Sequence, residues 1–278
     1  MLKRVNNKKN TFIDQILTKI RNSKKIIKFQ WDNPVGTKTK HFYLDEVLPK
    51  NDVIKIYESF PRNGEGFFDR KTFREKKRTS ANLSLYNKIL SEITYAIQDP
   101  KVLNEISKVC DMEMLEPDPN LYAGGLSMMF PNDYLNPHID NSHDGERKRY
   151  RRLNLLYYVS PDWKLEYGGN FELWDTKITK PHTIVSKQNR LIVMETNKNS
   201  WHSVSKVNTD RPRCCVSNYY FSKQSPDQSE YFHVTSFTGR PEQHLKKTLG
   251  LIDNKIRNFI SKTLKIGRGK NHINKNPK

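Results

Sequence analysis

The chain has 278 residues, 35% of them apolar and 28% charged, and carries a formal net charge of +19. A chain of this length forms one large domain or two small ones, with a core that needs no disulfide or metal staple. No apolar run approaches the ~18 residues of a transmembrane helix. The start MLKRVNNKKNTF has the positive charge of a signal peptide but no apolar stretch after it, so secretion is not expected. Cys110, Cys214 and Cys215 make neither a disulfide framework nor a zinc ribbon, which predicts a reducing, cytoplasmic setting.

The charge sits at the ends. Residues 1–40 carry 11 Lys/Arg against 2 Asp/Glu, residues 241–278 carry 10 against 2, and the long middle is nearly neutral. Such ends suit a nucleic acid, an anionic membrane or an acidic partner, or they are solvated coding bias; neither interleaves aromatics with its charges as single-strand binders do.

In chain order, residues 1–10 read as a disordered basic start. Thr11–Ile20 has helical spacing (Phe12, Ile13, Ile16, Leu17, Ile20), and Lys25–Trp31 reads as a strand. His41–Leu48 reads as a strand leading to a helix over Asn51–Phe60 with Asn51 at its N-cap, and residues 61–80, rich in charge and Gly, as a surface loop. Leu83–Ile97 and Val102–Val109 read as helices. From Pro117 to Phe221 the chain turns to short β-rich runs: Gly125–Phe130, Arg152–Val159, Asn170–Trp174, Arg190–Met194, His202–Val207 and Cys214–Phe221. This pattern predicts a β sandwich or barrel with helices outside. Pro241 then opens an amphipathic helix with Leu245, Leu249, Ile252, Ile256, Phe259, Ile260 and Leu264 on one side. It is expected to pack on the barrel or to form a homodimer contact rather than to anchor to a membrane. The division expected is 1–10, helical support over 11–116, a β core over 117–222, an extension over 223–266 and a basic tail over 267–278.

The chemistry concentrates in Pro137-His138-Ile139-Asp140. Residues i and i+2 of a strand share a face, so His138 and Asp140 aim an imidazole and a carboxylate at one point. His202, 62 residues after Asp140, is the natural third ligand. Two His and one carboxylate make the facial triad of non-haem Fe(II) oxygenases, with positions left open; a satisfied structural histidine is the competing reading of the lone tripeptide. Arg213 follows His202 by 11 residues and can clamp a distal carboxylate, with Ser217 on the same strand face. Arg147-Lys148-Arg149-Tyr150-Arg151-Arg152 is either a receptor for an anionic group on the substrate or a solvated loop balanced by Asp144 and Glu146. His143, His182 and His233 read as loop or surface residues.

Residues 121–222 resemble the Fe(II)/2-oxoglutarate-dependent oxygenases of the prolyl 4-hydroxylase-like class. The resemblance lies in GGLSMMFPNDYLNPHIDN, RRLNLLYYVSPDWKLEYGGNFELWD with its paired Gly168 and Gly169, RLIVMETNKNSWHSVSKV and RPRCCVSNYYFS. It implies a mainly β fold with flanking helices, a distorted double-stranded β-helix (jelly roll). It implies His138, Asp140 and His202 as iron ligands, Arg213 on the far carboxylate of 2-oxoglutarate with Ser217 alongside, and Tyr158 bonding the same carboxylate; Arg211 is the competing clamp. The chain departs from the family at Phe130, where many relatives have a Tyr close to the metal, and at Cys215, where Ser is frequent. Asp140 in place of Gly or Ala disfavours halogenation.

The implied activity is a dioxygenase that uses Fe(II), 2-oxoglutarate and O2, with ascorbate as candidate reductant. It releases succinate and carbon dioxide and hydroxylates an unactivated C–H bond. The first-guess substrate is a prolyl or other amino-acid residue in a protein, with a free amino acid or small anionic metabolite beside it. The alternative is a basic polyanion- or nucleic-acid-binding jelly-roll protein without oxygenase activity.

Overall fold

The computed structural model describes residues 8–264 except residue 228. Residues 1–7 and the basic tail 267–278 lie outside the described residues.

The chain opens with α1 (Lys8–Asn22), which buries Phe12, Ile13, Ile16, Leu17 and Ile20. Each is worth roughly 1.5–3 kcal/mol on full burial. Lys8–Asn10, expected to be disordered, form its first turn, and Lys8 pairs with Asp52 at 2.7 Å. The expected strand at Lys25–Trp31 is a helix, α2 (Lys24–Asp32). A strand would put Ile27, Phe29 and Trp31 on one face; instead Ile27 and Trp31, four apart, are buried while Phe29 is exposed. Strand β1 (His41–Asp45) leads to α3 (Lys50–Glu58), whose N-cap is Pro49 rather than Asn51.

The largest correction falls on residues 61–80. They hold a hairpin, β2 (Phe68–Lys71) and β3 (Glu75–Ser80), not only a surface loop. Next come α4 (Lys88–Ile97), capped by Asn87, and α5 (Pro100–Val109), capped by Asp99 with Pro100 in its first turn. The β-rich part holds β4 (Gly125–Met129), β5 (Tyr134–Ile139), β6 (Tyr150–Tyr158), β7 (Phe171–Trp174), β8 (Pro181–Ile184), β9 (Arg190–Glu195), β10 (His202–Val204) and β11 (Arg213–Ser222). The two-residue β12 (Ser236–Phe237) and α6 (His244–Leu264) follow.

The strands form one antiparallel sheet in the order β1-β9-β6-β11-β4-β3-β5-β10-β7-β8, with β12 on β5 and β2 on β3. The sheet curls into a half-barrel of the jelly-roll kind with helices outside. Strand β3 pairs β4 through Arg78–Ser80 and β5 through Glu75 and Lys76, so the charged hairpin joins the two halves. Side-chain alternation then sorts the central strands. Leu153, Leu155 and Tyr157 of β6, with Cys214, Val216 and Tyr220 of β11, join the core that includes α1, α4 and α5. The alternate residues, Asn154 and Leu156 with Arg213, Cys215 and Ser217, face an interior cavity.

The paired glycines make the turn into β7. Both have positive φ, 64° at Gly168 and 61° at Gly169. A Cβ on Gly168 would lie 1.8 Å from the Lys206 carbonyl oxygen, and one on Gly169 would lie 2.9 Å from Cδ of Arg213. Gly168→Ala is therefore expected to destabilise the protein by ~3 kcal/mol or more, read as a lowered denaturation midpoint, because it adds backbone strain to a clash with backbone.

Candidate active site

Strand β5 carries His138 and delivers Asp140 just beyond its end. His202 of β10 lies directly opposite His138 in the antiparallel register. The ligand-type atoms of His138, Asp140 and His202 all lie within 4.8 Å of one another, the one such group among the described residues. Nε2 of His138 is 3.7 Å from Oδ1 of Asp140, and Nε2 of His202 is 3.6 Å from Oδ2. Two ligands each ~2.1 Å from one ion lie at most ~4.2 Å apart, so these separations fit a shared metal.

The histidine tautomers follow from their neighbours. Nδ1 of His138 lies 3.0 Å from the Asn136 carbonyl and Nδ1 of His202 lies 2.9 Å from the Ser200 carbonyl. A carbonyl only accepts, so each Nδ1–H donates and each Nε2 lone pair is left facing Asp140, the arrangement of a metal-binding imidazole. Burial, and then the neighbouring His202, push His138 down to about 3, and burial also lowers His202. Both rings are therefore neutral at neutral pH, as ligation requires. Phe237 stacks on His138 at 5.0 Å, and Phe171 lies 5.9 Å from His202.

Asp140 is held from behind. Nη1 of the fully buried Arg151 is 3.2 Å from its Oδ2, although the angle is not that of a hydrogen bond. Arg151 also donates to Asn141 at 3.0 Å and lies over the Tyr219 ring at 3.9 Å. Arg151→Met is expected to weaken metal binding about 10–100-fold, the usual cost of losing a group that orients a ligand. Isothermal titration with Fe(II) under anaerobic conditions checks this.

Arg213 is only 3% exposed. Its partners are neutral: Nη2 donates to Tyr158 Oη at 3.0 Å, Nε to Ser186 Oγ at 3.3 Å, and Nη1 to Met129 Sδ at 3.2 Å. No ion pair joins it to a carboxylate among the described residues. A buried cation without a counter-ion is costly, and a dianionic ligand would relieve it. Burial pushes Tyr158 up to about 12, so its phenol stays protonated and can donate. Arg211 is exposed beside Tyr167.

Arg213, Ser217, Cys215 and the three triad residues line one cavity of about 220 Å³. Ser217 stands four residues along β11 from Arg213, roughly 13 Å on strand geometry, so the two occupy different parts of the wall. Burial pushes the Cys215 thiol up to about 12. Phe130 packs under Arg78 at 4.3 Å, outside this lining.

The run Arg147–Arg152 does not act as one basic patch. Arg149 binds Asp144 and Glu116, Arg151 binds Asp140, and Lys148 pairs with Glu146. Arg147 alone of the run lines a second cavity of about 330 Å³. Arg70, Glu75, Thr235 and Phe237 line both cavities, so the two adjoin. Glu75, Lys77, Ser186 and Met129 of the site carried no signal in the sequence, since residues 75–78 are four consecutive charges without alternation.

Residues 124–221 match the family model of the 2OG-Fe(II) oxygenase superfamily. A segment of 96 residues is 29% identical to mouse (Mus musculus) prolyl 3-hydroxylase OGFOD1; it covers 32% of this chain and only 17% of that relative. Among solved structures, a Pseudomonas putida prolyl-4-hydroxylase aligns with a TM-score of 0.52 at 14% identity, over 72% of this chain and 100% of the other. A Trichoplax adhaerens prolyl hydroxylase, solved with a hypoxia inducible factor peptide fragment, aligns with a TM-score of 0.52 at 15% identity, over 74% and 92%. The fold is that of these solved structures, and the site offers the two-histidine, one-carboxylate set that suits a non-haem iron. Residues 124–221 thus resemble the 2OG-Fe(II) oxygenase superfamily, and the chain shares its fold with solved prolyl hydroxylase structures.

Proposed function

We propose that this chain is a hydroxylase of polypeptides, acting on an unactivated C–H bond of a prolyl residue, with residues 117–222 as its catalytic core and 11–116 as support. The observation that carries the reading is the single cavity lined by both the His138–Asp140–His202 cluster and the buried, carboxylate-free Arg213. A scaffold for binding polyanions has no need of either feature at that depth.

His138, Asp140 and His202 would hold Fe(II), and Arg213 with Tyr158 would hold the far carboxylate of 2-oxoglutarate. Together with O2 these groups supply the oxidising power when bound. The chain's own part is geometric and electrostatic. The two Nδ1–H bonds to backbone carbonyls fix the imidazoles, and Arg151 fixes the carboxylate. Phe171 and Phe237 pack against the imidazoles and keep that end of the cavity apolar. A polypeptide is favoured over a free amino acid because the cavity adjoins the second one through Arg70 and Thr235, giving space beyond a reacting residue. The relatives named for prolyl hydroxylation support the same choice.

The test is succinate release with Fe(II), 2-oxoglutarate and ascorbate against proline-containing peptides, free amino acids and anionic metabolites, followed by mass spectrometry. The expected result is peptide-stimulated succinate and a gain of one oxygen on proline. Succinate stimulated only by a small metabolite would overturn the substrate assignment. Loss of salt-sensitive nucleic-acid binding on trimming the basic ends, with no succinate under any condition, would favour the binding-protein alternative.

A further inference from the structure

Helix α6 meets the rest of the chain through its polar face. Asn254 accepts from the Phe237 N–H at 2.9 Å and donates to its carbonyl at 2.8 Å. Arg257 donates to the Thr235 carbonyl at 2.7 Å, Asn258 accepts from the Val234 N–H at 3.1 Å, and Arg147 donates to Ser261 at 3.0 Å. Gly250 packs so closely that a Cβ would lie 2.6 Å from the Phe237 carbonyl oxygen. At 100° per residue these positions cluster on one side of the helix.

The diametrically opposite side carries the apolar stripe predicted from the sequence, and it faces outward. Leu245, Leu249, Ile252, Ile256 and Phe259 are 83, 53, 54, 52 and 71% exposed, while Ile260 at the edge of the stripe lines the second cavity. The expectation that this stripe packs on the barrel is corrected: the hydrogen-bonding face took that role. A helix of a globular protein turns its stripe to the core, so the inversion marks a surface built to be covered. The stripe offers roughly 600 Å² of apolar surface, comparable with one side of a standard interface.

Charge decides what covers it. Residues 241–264 hold 5 Lys/Arg and 2 Asp/Glu, a local net of +3. A second copy would bring the same positive charge onto itself. An anionic lipid surface brings the opposite sign, and a Leu/Ile/Phe stripe on a basic helix has the composition of helices that lie in the headgroup region. No helix of the described residues is long and apolar enough to cross a membrane. We propose that the outward face of α6 docks the protein on the surface of membranes rich in anionic lipids, its apolar stripe entering the interface while its polar face stays bonded to β12 and its flanking segment.

The test is sedimentation of the full chain with phosphatidylcholine vesicles, with and without phosphatidylserine. The expected result is binding to the phosphatidylserine vesicles only, weakened by added salt. Ile252→Glu with Ile256→Glu should weaken that binding by on the order of tenfold or more, with melting temperature and succinate release unchanged because both side chains are exposed. Ile256→Leu should retain it. Absence of binding to either vesicle, or binding unaltered by the glutamates, would overturn the proposal. So would light scattering that finds a dimer broken by the same glutamates, since a second copy would then be the occupant.

Discussion

Alanine at His202 is expected to abolish 2-oxoglutarate turnover, with succinate release falling at least ~1,000-fold, or ~4 kcal/mol in the barrier. The imidazole has no neighbour able to replace it. Its Nε2 is one of three ligand-type atoms around a single point, and no fourth His, Cys, Asp or Glu joins that group among the described residues. A control separates lost chemistry from lost folding. Anaerobic addition of Fe(II) and 2-oxoglutarate to the native chain should give a weak visible charge-transfer band, and His202→Ala should lack it while keeping a native-like melting transition. Full activity in the variant would remove His202 from the metal site.

The second large effect is expected at Arg213, and its two readouts move in opposite directions. Arg213→Met should raise the KM for 2-oxoglutarate about 100-fold, the loss of two charge-assisted hydrogen bonds of ~1.5 kcal/mol each. The same change should stabilise the chain in the absence of 2-oxoglutarate by ~1–2 kcal/mol, because it removes a buried cation whose partners are Tyr158, Ser186 and Met129 rather than a carboxylate. A structural arginine would show destabilisation with little change in KM. Thermal melts with and without 2-oxoglutarate, alongside succinate kinetics, distinguish the two.

Much of the site was legible because strand geometry is periodic. His138 and Asp140 two apart, and Arg213, Cys215 and Ser217 at alternate positions, needed only a period of two to be placed on one face. Arg213 begins β11 and lines the cavity, while Arg211 lies before the strand, exposed. The β core over 117–222 was legible from short runs bounded by Gly, Pro and Asn. Strands β8 and β12 were not among those runs.

Other elements were hidden because the deciding partner is distant in the chain. Lys25–Trp31 looks extended by composition, yet Ile27 and Trp31 find their apolar contacts only as a helix. The hairpin at 68–80 has no apolar alternation to announce it. Arg151 belongs to a run of cations, and only the fold shows it paired in charge behind Asp140 while Lys148 and Arg149 form separate ion pairs.

By itself the sequence determined the chemistry available: two imidazoles and one guanidinium on strands whose alternation points them inward, and one carboxylate just past the end of β5. Local periodicity depends on covalent geometry, so it is written residue by residue. Only the tertiary structure decided which distant segments meet. The curl of the sheet sets β5 against β10, puts a charged hairpin between the halves, and lets hydrogen bonds from Asn254, Arg257 and Asn258 outweigh the apolar stripe in choosing which side of α6 faces inward. Those outcomes depend on competition between contacts far apart in the chain.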